Sequence, residues 1–159
     1  MELQRFDLLF YKGASWVGDI IRGVTDSPYS HVAIVLDELH LAETDWRYPF
    51  QIRHLEYRPD EYDVFRLKET LSDLQKHRMQ QFINEHLRTP YDLRQSLSNG
   101  LFILSKGRIH VMNAANKMNC CESSYKMYQT AWIELLPEWP KDYLTPGLLA
   151  SSEKLIKVA

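Results

Sequence analysis

The sequence predicts an α+β fold, a small antiparallel sheet packed against helices. Short runs of β-branched and aromatic residues recur between positions 6 and 67 with turn-forming stretches between them, and from position 70 the apolar spacing changes to threes and fours. The chain has 159 residues, 45% hydrophobic and 12% aromatic, enough for one substantial core, and no repeat or low-complexity linker divides it. Residues 1–159 therefore read as one domain.

"FDLLFYK" (6–12) reads as a strand. "SWVGDIIRGVT" (15–25) reads as a short amphipathic helix, because Val17, Ile20, Ile21 and Val24 share one face and Ser15 can cap its start. "HVAIVL" (31–36) is almost wholly apolar and β-branched, which suits a central strand covered on both faces. Further strands are expected at 39–44, 50–57 and 62–67, with "DWRYP" and "RPDE" as the turns between them. A helix follows from 70 to about 88, with Leu71, Leu74, Met79, Phe82, Ile83 and Leu87 as its buried face and Pro90 beyond its end. The apolar cluster at 101–104 reads as a short buried helix. The last helix is expected from 120 to 136, turning Tyr125, Tyr128, Ala131, Trp132, Leu135 and Leu136 toward the core.

Composition narrows the function. The 19 basic and 21 acidic residues are well mixed and leave a net charge of -2, so no surface is built for polyphosphate and nucleic acid is not an expected partner. No apolar run approaches the roughly 20 residues a membrane span requires, and the opening segment lacks the basic-then-apolar order of a signal peptide. The expectation is a soluble, cytoplasmic protein with no stable membrane insertion. Its two cysteines, Cys120 and Cys121, are adjacent. A bond between neighbours closes only a strained ring and cannot staple a fold, so their interest is chemical.

"NCCE" marks the start of the last helix. Asn119 is a favoured N-cap and Glu122, three residues on, can reach back to the Asn119 amide. Cys120 then occupies the first helical position, where unpaired amides and the helix dipole favour a thiolate over a thiol of ordinary pKa about 8.5. The ordinary alternative is a small buried hydrophobe. His31, at the mouth of its strand, is either a hydrogen-bonded structural residue or an imidazole serving that sulfur. A cysteine hydrolase needs a thiolate at a helix start, an imidazole on an adjoining strand and a polar group to orient the imidazole. Glu43 follows His31 by twelve positions, the distance for the chain to turn and return alongside it. Its ordinary alternative is a solvated strand-end carboxylate. Tyr29 and Trp46 are the candidate substrate-binding residues, and Tyr11 and Trp16 read more safely as core. Zinc would accept these ligand types, but adjacent cysteines ligate one ion poorly and CxxC spacing is absent, so neither metal nor cofactor is expected.

The motifs "TDSPYSHVAIVL", "LAETD", "TPYD", "NCCESSY" and "LTPGLLASS", in that order over residues 7 to about 152, resemble the circularly permuted papain-like proteins of the NlpC superfamily. The similarity is greatest to the YiiX-like branch, related to lecithin:retinol acyltransferase. The resemblance implies a permuted papain-like fold with the catalytic histidine first and the nucleophilic cysteine last. It places the histidine on His31, the nucleophile on Cys120 and the third polar position on Glu43. Where the family commonly has Cys-Ser-Glu this chain has Cys120, Cys121 and Glu122, which leaves Cys121 as a neighbour pointing elsewhere. Ser123 and Ser124 replace an apolar Leu-Val pair, and Tyr91 and Asp92 match a Tyr-Asp pair read as structural. The implied chemistry is acyl transfer through a Cys120 thioester, with the helix-start amide holding the oxyanion and His31 protonating the leaving group. The substrate implied first is a peptide or amide bond, with bacterial cell-wall peptides as the precedent. Lipid acyl transfer or thioester hydrolysis is the alternative, ranked second because the chain lacks a terminal hydrophobic anchor. A non-catalytic peptide-binding module is the third reading.

Overall fold

Alternation along the strands gives one antiparallel sheet two distinct apolar faces. The computed structural model describes residues 2–12, 27–92, 117–137 and 144–159. Its strands are β1 (Leu8–Tyr11), β2 (His31–Val35), β3 (His40–Asp45), β4 (Tyr48–His54), β5 (Tyr62–Leu67) and β6 (Leu155–Lys157). They lie in the order β4-β3-β2-β1-β5-β6, every pair antiparallel. The helices are α1 (Asp73–His86), α2 (Cys120–Thr130) and α3 (Pro146–Ala150). The helices expected at 15–25 and 101–104 lie outside the described residues. Leu8, Phe10, Val32, Ile34 and Phe65 form one core with Met79, Phe82 and Ile83 of α1 and Tyr125 and Tyr128 of α2. Leu9, Ala33, Val35, Leu41 and Val64 form a second cluster on the opposite face. β2 is thus buried on both sides, as its unbroken apolar run predicts.

Both long helices depart from expectation at their ends. Ser72 caps α1 with Gln75 in a reciprocal box, and only Met79, Phe82 and Ile83 of α1 are buried. Leu74 is 57% exposed, because the face against α2 is set by Gln75 and Arg78, which reach the carbonyls of Ala131 and Thr130, and Leu74 is turned about 100° from Gln75. Leu87 is also exposed, since it is the C-cap and its extended backbone swings it out of the helix. α2 stops at Thr130 and not at 136. Trp132 adopts a left-handed φ of 59°, and the Ile133 amide returns to the Tyr128 carbonyl at 3.0 Å, the six-to-one bond of a Schellman turn. Trp132 is therefore 64% exposed, with the Arg78 guanidinium over its ring, while Ile133 and Leu135 enter the core after the turn.

β6, which periodicity did not reveal, is fastened to β5 around a buried carboxylate. Asp63 accepts from the Tyr29 hydroxyl at 2.7 Å, from Lys157 at 2.8 Å and from the Lys12 ammonium. Burial opposes its charge, but these partners hold its carboxyl at about 2. A depressed carboxyl contributes stability that is complete above its unfolded value near 3.9 and lost as pH falls through its folded one. Asp63→Asn is expected to cost about 2 kcal/mol at pH 7, because a buried hydroxyl and two ammonium groups lose their counter-charge. In urea titrations the gap between wild type and variant should close as pH falls from 4 toward about 2. Equal midpoints at pH 7 would deny Asp63 this role.

Candidate functional site: a Cys120, His31 and Glu43 chain

The site forms where β3 leaves β2. The ladder between them pairs Ile34 with Ala42 and Val35 with Leu41, whereas β3 stays with β4 as far as Asp45 and Tyr48, through an irregularity between Glu43 and Asp45. Alternate residues of an antiparallel strand direct their amides to the same neighbour, so the Val32 N–H, like that of Ile34, faces β3. There it favours the ionised form of the Cys120 sulfur.

Cys120 is delivered by the start of α2. The Asn119 side chain accepts from the Glu122 amide at 2.9 Å, and Glu122 accepts from the Asn119 amide at 3.3 Å, the reciprocal box the sequence predicts. Ahead of the cap, Met118 exchanges backbone hydrogen bonds of 3.1 Å with Pro90 and Asp92, so Tyr91 and Asp92 anchor the approach to α2. Ser123 and Ser124 are buried without cost to the packing, since both hydroxyls donate to the Cys120 carbonyl, at 2.9 and 3.2 Å.

His31 and Glu43 share the sheet face opposite α1, and His31 Nε2 lies 2.8 Å from Glu43 Oε2. The other ring nitrogen, Nδ1, is left to serve the Cys120 sulfur, whose negative charge favours the protonated ring. Glu43 has its own support. Its Oε1 accepts from the Tyr48 hydroxyl at 2.7 Å and from Arg53 at 3.2 Å, and the guanidinium lies over the Tyr48 ring.

These contacts fix the charge states. Burial would raise the Glu43 carboxyl, but the His31 hydrogen bond and charge, the Tyr48 hydroxyl and Arg53 together hold it at about 2. Burial would likewise discharge His31, yet the negative Cys120 sulfur, its hydrogen bond and Glu43 raise the imidazole well above its ordinary value. The Cys120 thiol falls well below the usual thiol range through the Cys121 hydrogen bond, with burial opposing and with His31 and the Val32 amide adding to the drop. Both directions favour a thiolate at Cys120 beside an imidazolium at His31. Nearby Tyr62 is pushed up to about 12, by burial first and by the Glu43 charge second.

The structure therefore brings Cys120, His31 and Glu43 together, and it moves other expected residues. Cys121 does not point elsewhere: its sulfur lies 3.9 Å from that of Cys120. Tyr29 lies mostly in the core. It is buried against Phe10 and Phe65, its hydroxyl held by Asp63, with one edge on a cleft of about 450 Å³ shared with Ser27 and Gly147. Trp46, 55% exposed at the β3–β4 turn under the Arg47 guanidinium, is available at the surface two residues before Tyr48. Tyr11 pairs across the sheet with His31 and packs on Tyr62, and Trp16 lies outside the described residues. Tyr48 and Arg53 escaped sequence reading because Tyr48 falls in the expected turn. The β3–β4 hairpin register, which sets Gln51 opposite Glu43, is the signal that would have found them.

No protein-family model and no curated protein matches this chain. The architecture is nonetheless that of a known α+β class. The crystal structure of metalloprotein yiiX (DUF1105) from Escherichia coli O157:H7 superposes with a TM-score of 0.74 over 100% of this chain and 98% of that chain, at 18% identity. Among the described residues no helix is long and apolar enough to cross a membrane.

Iodoacetamide at near-neutral pH is expected to modify Cys120 well before Cys121, because burial and the neighbouring negative charges keep Cys121 a thiol. Mass mapping of the alkylated peptide reads the ratio. Equal labelling, or preference for Cys121, would contradict the charge assignment.

Proposed function

We propose that this chain is a cysteine hydrolase of the circularly permuted papain-like, NlpC type, cleaving a peptide or amide bond through Cys120, His31 and Glu43. One observation carries the reading: an imidazole acted on by the charge of a helix-start sulfur has its far nitrogen held by a half-buried carboxylate at 2.8 Å. That is the constellation acyl transfer requires. The Cys120 thiolate attacks the carbonyl carbon, and its electron pair becomes the new C–S bond as the C=O pair moves onto oxygen. Helix-start amides without an intrahelical partner stabilise that oxyanion. The C–N bond then breaks, the amine leaves with the proton of His31, and water, deprotonated by the now neutral imidazole, releases the acid from the thioester. Glu43 holds the ring and offsets its charge throughout. Bacterial cell-wall peptides are the proposed substrate class.

The similarity to a metalloprotein raises the question of a metal. Among the described residues no three His, Cys, Asp or Glu side chains are disposed to hold an ion, and His31 Nε2 and Glu43 Oε2 already occupy each other. The thioester route uses the site's own groups alone.

Wild type and Cys120→Ala, incubated with muropeptides, dipeptide amides and short-chain acyl esters, test the reading by mass spectrometry of trapped thioesters. A Cys120-dependent adduct from a peptide or amide is the expected result. An adduct from lipid esters alone would move the activity to acyl transfer, and binding without any adduct would make the domain a peptide-binding module. His31→Ala should abolish turnover with little loss of melting temperature, and Glu43→Gln should be milder because the proton donor remains.

The pH profile follows from the charge pair. Turnover should rise as pH passes upward through the depressed Cys120 value and fall as it passes through the elevated His31 value, giving a bell. Glu43, at about 2, stays ionised across it. A single rising limb centred on an ordinary thiol value would contradict the preformed pair.

A further inference from the structure

We infer that Cys121 is a positioning residue whose thiol donates a hydrogen bond to the Cys120 sulfur. This rests on the reading of Cys120 as a thiolate nucleophile. The sulfurs are 3.9 Å apart, within hydrogen-bond range for sulfur and far beyond the roughly 2.05 Å of a disulfide. The contact is not forced by sequence adjacency, since successive helical side chains diverge by about 100°. It exists because both side chains are buried, Cys120 at 7% and Cys121 at 2% exposure, where α2 meets the sheet.

The surroundings of the two sulfurs differ. The imidazole and the Val32 amide favour the Cys120 thiolate. Burial first, and the Cys120 and Glu122 charges after it, push the Cys121 thiol up, so the proton stays on Cys121. At rest the nucleophile therefore accepts from an imidazolium, a backbone amide and a thiol. The thiol is an uncharged donor, and its bond costs little to break when the sulfur attacks a carbonyl.

The test is the pH dependence of Cys120 alkylation by iodoacetamide, with mass mapping and circular dichroism to establish folding. It reads ionisation without turnover. Cys121→Ala and Cys121→Val lack the donor and bracket cysteine in size, so a packing failure in one leaves the other informative. Both are expected to raise the Cys120 midpoint by about one pH unit, a roughly tenfold loss of alkylation rate on the acidic side. Cys121→Ser keeps a donor and is expected to stay close to wild type. Wild-type midpoints in both donorless variants, with His31→Ala still raising the midpoint, would overturn the role of Cys121 and leave the hydrolase reading standing. A serine variant displaced as far as alanine would overturn it too, by making the effect one of packing. An ordinary thiol midpoint in wild type would instead overturn the reading of Cys120 itself.

Discussion

The parting of β3 from β2 beyond Ala42 is the constraint on which the rest of the site depends. Were the ladder continued, the Val32 amide would be spent on a β3 carbonyl and not left for the Cys120 sulfur. A buried amide without a partner is costly, and the sulfur is the group this one acts on. The irregularity between Glu43 and Asp45 is the local device that keeps β3 on β4 while it leaves β2.

Four ionised groups then run from core to surface with alternating sign: Cys120, His31, Glu43 and Arg53. Each is flanked by its opposite, and the chain ends on a guanidinium that is 45% exposed. Alternation is what makes the burial tolerable, because an isolated charge at the depth of Cys120 would neutralise instead. The Asn119 cap and the α2 dipole add to the negative end, and the Tyr48 hydroxyl adds to the middle. Each member's ionisation depends on its neighbours, so the members are not expected to contribute independently.

The site was more legible than its surroundings. "NCCE" fixed the register of α2 to the residue because a capping box is a local pattern, and the spacing of His31 and Glu43 announced a hairpin. What local pattern cannot carry was misjudged. Trp132 looks like the next turn of α2 by spacing, but its left-handed backbone belongs to a tertiary stop in which Arg78 covers the ring. Tyr29 looks like a groove aromatic, yet Asp63, distant in sequence, takes its hydroxyl. Cys121 was expected to diverge as helical geometry dictates, and only the packing of α2 on the sheet turns its sulfur back. β6 has three residues, too few for alternation to register, and Tyr48 depends on a register that exists only once β3 and β4 pair.

The preformed thiolate and imidazolium pair is the centre of this account, and nitrogen NMR of His31 across pH tests it most directly. In wild type the ring should stay doubly protonated well above the ordinary histidine value of about 6.5, and in Cys120→Ala it should lose its proton at distinctly lower pH as the negative sulfur disappears. A wild-type ring that titrates at its ordinary value, or one indifferent to the loss of Cys120, would contradict it.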